Sequence, residues 1–131
     1  MTYPVFYRKS GPPGASKGPV IWIREDMRGV EHIIQHEVTH VLQWFTISML
    51  GLVWVAGCYR LGVSHYANIG LIALILHPLL YATLPAFKLQ CEVQAYRAQI
   101  KYGGELESCA LSLSRDYGLK LSQAEALALL T

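Results

Sequence analysis

The chain has 131 residues, enough for one hydrophobic core and too few for two. Its formal charge of +2, from 11 Lys and Arg against 9 Asp and Glu with no basic run, excludes the electrostatic footprint of a nucleic-acid binder. Charged residues make up only 15% of the chain, against about 25% in an average soluble domain, and the deficit is local: from Val38 to Phe87 the only one is Arg60.

Tyr3 to Arg8 reads as a short strand, and Ser10 to Pro19, rich in Gly, Pro, Ser and Ala, as a loop. Val20 to Ile23 is β-branched and aromatic, which predicts a second strand forming a β-hairpin with the first. A helix follows, with Asp26 as its expected cap; Ile33, Ile34, Val38, Val41, Leu42 and Phe45 recur at helical spacing. Apolar character then runs on to Tyr59. Gly57 to Asn68 reads as a turn region, and Ile69 to Phe87 as a second apolar run interrupted by Pro78 and Pro85. Leu89 to Tyr102 is predicted helical and stopped by Gly103-Gly104. Glu105 to Tyr117 is predicted helical, with Gly118 suited to a left-handed end. Ser122 and Glu125 have the spacing of a capping box that opens a last short helix.

The expected fold is therefore α+β: a single domain over 1–131, mainly helical, with a short N-terminal hairpin and a long apolar helical insertion at about 41–87. Cys58, Cys91 and Cys109 are odd in number and include no CxxC, which predicts reduced, buried thiols rather than disulfides or a thiolate metal site. Met1 to Lys9 lacks the basic start and apolar run of a signal peptide, which points to a working end in a reducing cytoplasm.

The residues that carry chemistry are His36-Glu37-Val38-Thr39-His40. On a helix, positions i and i+4 share a face, so both imidazoles can reach one zinc ion. Glu37 sits about 100° round the helix, where it can take a proton from a zinc-bound water rather than bind the metal. Zinc sites of this kind commonly use two His and one Glu. The next acidic residue after His40 is Glu92, which begins Glu92-Val93-Gln94-Ala95 on a predicted helix. The small Ala95 would let that helix pack closely on the first. His32, His65 and His77 read as ordinary polar or interior histidines.

HExxH followed by a helical ExxA resembles the gluzincin metallopeptidases. The longer string from Cys91 to Gln99, followed by Tyr102-Gly103-Gly104 and a short helical tail, is similar to the small metallopeptidases encoded by tailed phages and prophages. The resemblance covers roughly Val20–Gln43 and His77–Leu130. It implies a compact zincin core, His36, His40 and Glu92 as zinc ligands, Glu37 as the residue that activates water, and a peptide or protein substrate. Two features depart from that pattern. Tyr96 stands where many gluzincins carry an Asp, four residues after the ligand Glu, and no His matches the usual downstream donor. Candidates to stabilise the developing oxyanion are Tyr96, Arg97, Tyr102, Arg115 and Tyr117. A substrate strand is expected to add beside Val20–Arg24. A zinc-binding membrane or interaction protein without turnover is the alternative.

The stretches 41–59 and 69–87 are each 19 residues long without an acidic or basic side chain, close to the roughly 20 that span a bilayer. The phage-type connector is shorter and more polar, so this insertion is a departure. A membrane hairpin would put both flanks on one side. Those flanks hold 10 of the 11 Lys and Arg, which predicts a catalytic part on the cytoplasmic face of the membrane. The alternative is a soluble cytoplasmic protein whose apolar runs are buried in its own core or in an oligomer interface.

Overall fold

A computed structural model describes residues 3–131. Three strands, β1 (Val5–Arg8), β2 (Gly14–Lys17) and β3 (Val20–Arg24), form a sheet in the order β1-β3-β2. Ile21 and Ile23 alternate with more exposed neighbours, and both are buried against Ile33, Ile34, Val38 and Val41 of the first helix. The hairpin partner of β3 is β2, inside the stretch expected to be a loop. Lys17 pairs with Val20 across Gly18-Pro19, and Gly18 supplies the positive φ that so tight a turn requires. Closing two residues costs far less chain entropy than closing the longer Lys9–Pro19 connection. β1 is left to pair in parallel on the other side of β3, with Val5 opposite Ile21. The sheet is thus a hairpin plus a parallel strand, not a hairpin of β1 and β3.

Helix α1 runs unbroken over Glu31–Arg60, about 45 Å at 1.5 Å per residue. Its N-cap is Val30 and not Asp26, and no side chain caps it. Asp26 lies in a 3₁₀ turn (Glu25–Met27), where both its oxygens accept from the Arg24 guanidinium, at 2.6 and 2.9 Å. That charge-assisted fork holds the carboxylate away from the helix end.

After Arg60 the chain turns back through a 3₁₀ turn (Ser64–Tyr66), α2 (Ala67–Leu71) and α3 (Ala73–Thr83), all packed along α1. The second apolar run is therefore not one helix. Leu84 is extended, as the residue before a proline prefers, and Pro85 opens α4 (Pro85–Lys101). Pro78 lies inside α3 and has no N–H to donate to the Leu74 carbonyl. The indole of Trp44 donates to that carbonyl instead, at 3.0 Å, so the proline's cost is offset by a tie between α1 and α3.

Helix α4 packs on α1, with the small Ala95 fully buried in the contact region. Helices α5 (Leu106–Arg115) and α6 (Gln123–Leu130) close a second core of Tyr96, Cys109, Ala110, Leu113, Ala126 and Leu130. The capping box opens α6 as predicted: the Ser122 hydroxyl accepts from the Glu125 N–H, and the Glu125 carboxylate accepts from the Ser122 N–H. Gly118, beyond the end of α5, adopts φ +65. The α1–α4 contact joins the sheet-side core to the α5–α6 core, and the chemistry-bearing residues lie along it.

Candidate metal centre

Helix α1 sets His36 and His40 one turn apart, with their Nε2 atoms 3.3 Å from each other. Helix α4 brings Glu92 to them: Oε2 stands 3.6 Å from His36 Nε2, and Oε1 stands 3.4 Å from His40 Nε2. Tetrahedral zinc with ligand bonds of roughly 2.0–2.1 Å has ligand-to-ligand edges of about 3.3–3.4 Å. The Nε2–Nε2 edge already matches that spacing, the two Glu92 distances run to different oxygens, and one ligand atom from each of the three side chains lies within 4.8 Å of the others. His36 is buried and Glu92 wholly so, which makes the cluster a buried site that can hold a metal ion.

Burial alone would raise the Glu92 carboxyl, but the imidazoles of His36 and His40 and the hydroxyl of Tyr81 outweigh it and hold the group well below the usual carboxylate range. Tyr81 donates to Oε1, while the equally buried Oε2 has no hydrogen-bond partner. An ionised carboxylate with one oxygen bare, facing two imidazole nitrogens, is a site that a cation completes.

Gln43 determines which nitrogen of His40 faces inward. His40 Nδ1 donates to Gln43 Oε1 at 3.0 Å, and the Gln43 amide donates to the Cys91 carbonyl at 3.1 Å and to Gln94 Oε1 at 3.0 Å. Nε2 is left as the bare lone pair. One side chain thereby fixes a tautomer and ties α1 to the turn of α4 that carries Glu92. We expect Gln43→Leu to weaken metal binding about 10–100-fold, as loss of such supporting partners commonly does. A chromophoric chelator competition measures this, and an unchanged affinity would show that Gln43 does not orient His40.

His36 is supported differently. Its Nδ1 has no partner, and its ring packs edge-on against Tyr96 with centroids 4.5 Å apart. Packing by Tyr96, four residues after Glu92, thus supports the ring in place of a hydrogen bond. The Tyr96 and Tyr117 hydroxyls are 3.1 Å apart. Burial and the Glu92 charge push both phenols up, Tyr96 to about 12, so both remain protonated donors at neutral pH.

Glu37 is buried beside the cluster under β2. Burial raises its carboxyl, partly countered by the neighbouring imidazoles and by the nearby Ser16 hydroxyl. A Cβ on Gly14 would stand 2.6 Å from Glu37 Oε1, so only glycine lets the strand cross so closely. The cluster opens into a cleft of about 1070 Å³, walled by β2 on one side, by Tyr96, Ser112 and Tyr117 on the other, and by Trp44 of α1 and Leu74 and Tyr81 of α3.

Of the oxyanion candidates, Tyr96 and Tyr117 line this cleft. Arg97 does not; it donates to the Leu129 carbonyl at 2.8 and 3.1 Å and holds α6. Tyr102, exposed at the end of α4, and Arg115, in the last turn of α5, do not line it either. His32 and His77 reach the cleft wall without joining the cluster, and His65 lies at the hairpin tip. Cys58, Cys91 and Cys109 are free and buried, as expected. The strand expected to receive substrate, Val20–Arg24, is paired on both sides; the edge that lines the cleft is Gly14–Lys17.

Sequence reasoning did not single out Gln43, Tyr81, Gly14 or Ser16. Gln43 carried a usable signal, since it lies three residues after His40 on the same helical face. Tyr81 carried none, being one aromatic among many in an apolar run. No protein-family model matches the chain, and no curated protein and no solved structure matches it.

Proposed function

We propose that the chain is a zinc-dependent metallopeptidase, with His36, His40 and Glu92 as ligands and Glu37 as general base. The observation that carries this reading is the buried cluster of His36, His40 and Glu92 with a second buried carboxylate, Glu37, on the adjacent helical position and a free strand edge beside it. A structural zinc site is usually closed by four protein ligands, whereas three ligands with an open fourth position is the catalytic pattern.

A zinc ion in this ligand set supplies Lewis acidity, which makes water acidic enough to attack near neutral pH. The protein's own groups do the rest. Glu37 is poised to accept the proton of the attacking water and return it to the leaving amine, a role suited to a carboxylate whose pKa burial has raised. The neutral hydroxyls of Tyr117 and Tyr96 are donors for the oxyanion. The unpaired edge of β2 can take an extended peptide by backbone pairing, across the cleft floor where the ligands lie.

The direct test is cleavage of an unstructured reporter polypeptide by the zinc-loaded full chain, followed by mass spectrometry. Cleavage should stop with a chelator and return with zinc; cleavage that ignores the chelator, or none at all, rejects the reading. Gly14→Ala offers a finer one. The added methyl displaces the Glu37 carboxylate by van der Waals overlap, and a misplacement of about 1 Å costs on the order of 100-fold in rate. We expect that loss with zinc content unchanged, and an unchanged rate would show that Glu37 need not sit under β2.

A second reading, a zinc protein without turnover, is favoured by the unpartnered Nδ1 of His36, which leaves that ligand without the acceptor that usually raises its basicity.

A further inference from the structure

The half of the molecule beyond the metal cluster is built with its small residues inside and its large ones outside. Apart from His77 at the cluster end, the buried positions between α1 and the returning α2–α3 beyond the cluster are Ser48, Gly51, Cys58, Ala67 and Gly70. A Cβ on Gly51 would stand 2.3 Å from the Gly70 carbonyl oxygen, and one on Gly70 would stand 2.5 Å from that of Gly51, so the two backbones touch. Small residues at the seam are how helices pack where lipid surrounds them. The large side chains face outward: Leu50 is 68% exposed, Val53 65% and Ile75 62%. In water such a hairpin would gain almost nothing from burial, since the residues worth burying are the ones left out.

Shape, length and charge select the occupant of that outer face. Leu52, Val53 and Trp54 are consecutive and all about half exposed or more, and two steps of about 100° spread them over about 200°, more than half of the helix circumference. One partner helix would cover a stripe; a lipid phase covers all sides. From His40 to Arg60, α1 rises about 30 Å, the thickness of a bilayer's hydrocarbon core. No acidic or basic side chain lies between them, and Arg60 stands at the tip. α1 and the Ser64–Thr83 stretch are both long and apolar enough to cross a membrane. At the other end, His40 is a metal-cluster residue, and Trp44, Leu74 and Tyr81 of the hairpin form one wall of the cleft. Trp and Tyr are the side chains enriched where lipid meets water.

We propose that the α1–α3 hairpin is inserted in a lipid bilayer and sets the metal cleft at the lipid–water boundary, so that the polypeptide it receives is one emerging from the membrane. The second clause rests on the peptidase reading; the first does not.

The chain's own tryptophans test the depth. Trp54 lies about 21 Å along α1 from His40, and Trp44 about 6 Å. Single-tryptophan versions of the full chain, the others changed to Phe, are placed in phosphatidylcholine vesicles carrying brominated acyl chains. Trp54, about 6 Å from the middle of that span, and Trp44, about 9 Å from it, should both lose emission to acyl-chain bromines, Trp54 to slightly deeper ones, and Trp22 to none. The unmodified chain should stay in the membrane pellet after alkaline carbonate washing. Release by carbonate, or no quenching of Trp54, overturns insertion; a chain that is then dimeric in solution assigns the face to a second copy. For the substrate class, one reporter sequence is offered in the same vesicles, free or joined to a transmembrane anchor. Tethering should speed cleavage at least about tenfold through effective concentration. Equal rates overturn the substrate class while leaving insertion in place. Cleavage of neither, with zinc bound, sinks the peptidase reading and its substrate class together, and the quenching result still decides insertion.

Discussion

Glu92→Ala is expected to empty the metal site. Glu92 supplies one of the three ligand positions, and no other acidic side chain among the described residues joins His36 and His40 in a cluster. Its loss leaves two imidazoles 3.3 Å apart with no charge to balance a divalent cation in a buried place. Loss of a merely supporting partner costs about 10–100-fold in affinity, so removal of the carboxylate itself should exceed about 100-fold. Elemental analysis of detergent-purified protein should find roughly one zinc ion per wild-type chain, as a single three-ligand site requires, and almost none in the variant. An unchanged metal content in Glu92→Ala would remove Glu92 from the ligand set. Absence of zinc from a wild type purified without chelators would reduce the His36–His40 spacing to coincidence.

Glu37→Gln separates catalysis from binding. The amide keeps the shape of the carboxylate, and so its fit under Gly14, but cannot take a proton. A positioned general base contributes about 10²–10⁴-fold, so cleavage of the reporter should fall by about that factor while zinc content stays at the wild-type level. Loss of zinc in Glu37→Gln would make Glu37 a ligand instead. Equal cleavage by variant and wild type would refute its role as base, and cleavage by neither would favour the non-catalytic reading that the bare Nδ1 of His36 suggests.

Two of the site expectations failed for physical reasons. Arg97 was one of the five oxyanion candidates, but five residues beyond Glu92 on the same helix is about 500° of rotation, which carries it to α6 and the Leu129 carbonyl. Val20–Arg24 was expected to offer substrate a free strand edge, yet its β-branched and aromatic residues make it strongly β-prone. The same property makes it the central strand, since the segment that pairs best is the one with partners on both sides.

What the sequence by itself determined is what helical geometry decides locally. A spacing of four puts His36 and His40 on one face whatever lies elsewhere, a capping box opens α6 from two side chains three residues apart, and an almost chargeless stretch from Val38 to Phe87 is read by counting. The α+β class follows from the same local periodicities. Only the tertiary structure decided which strand pairs with which, that Gln43 and Tyr81 hold the ligands, that Gly14 lets an edge strand cross over Glu37, and that Gly51 and Gly70 meet backbone to backbone. Each of these depends on residues distant in the chain, or on the turn that happens to close most cheaply. Their contact is set by packing and chain entropy summed over the whole molecule, and no local pattern of residues carries that sum.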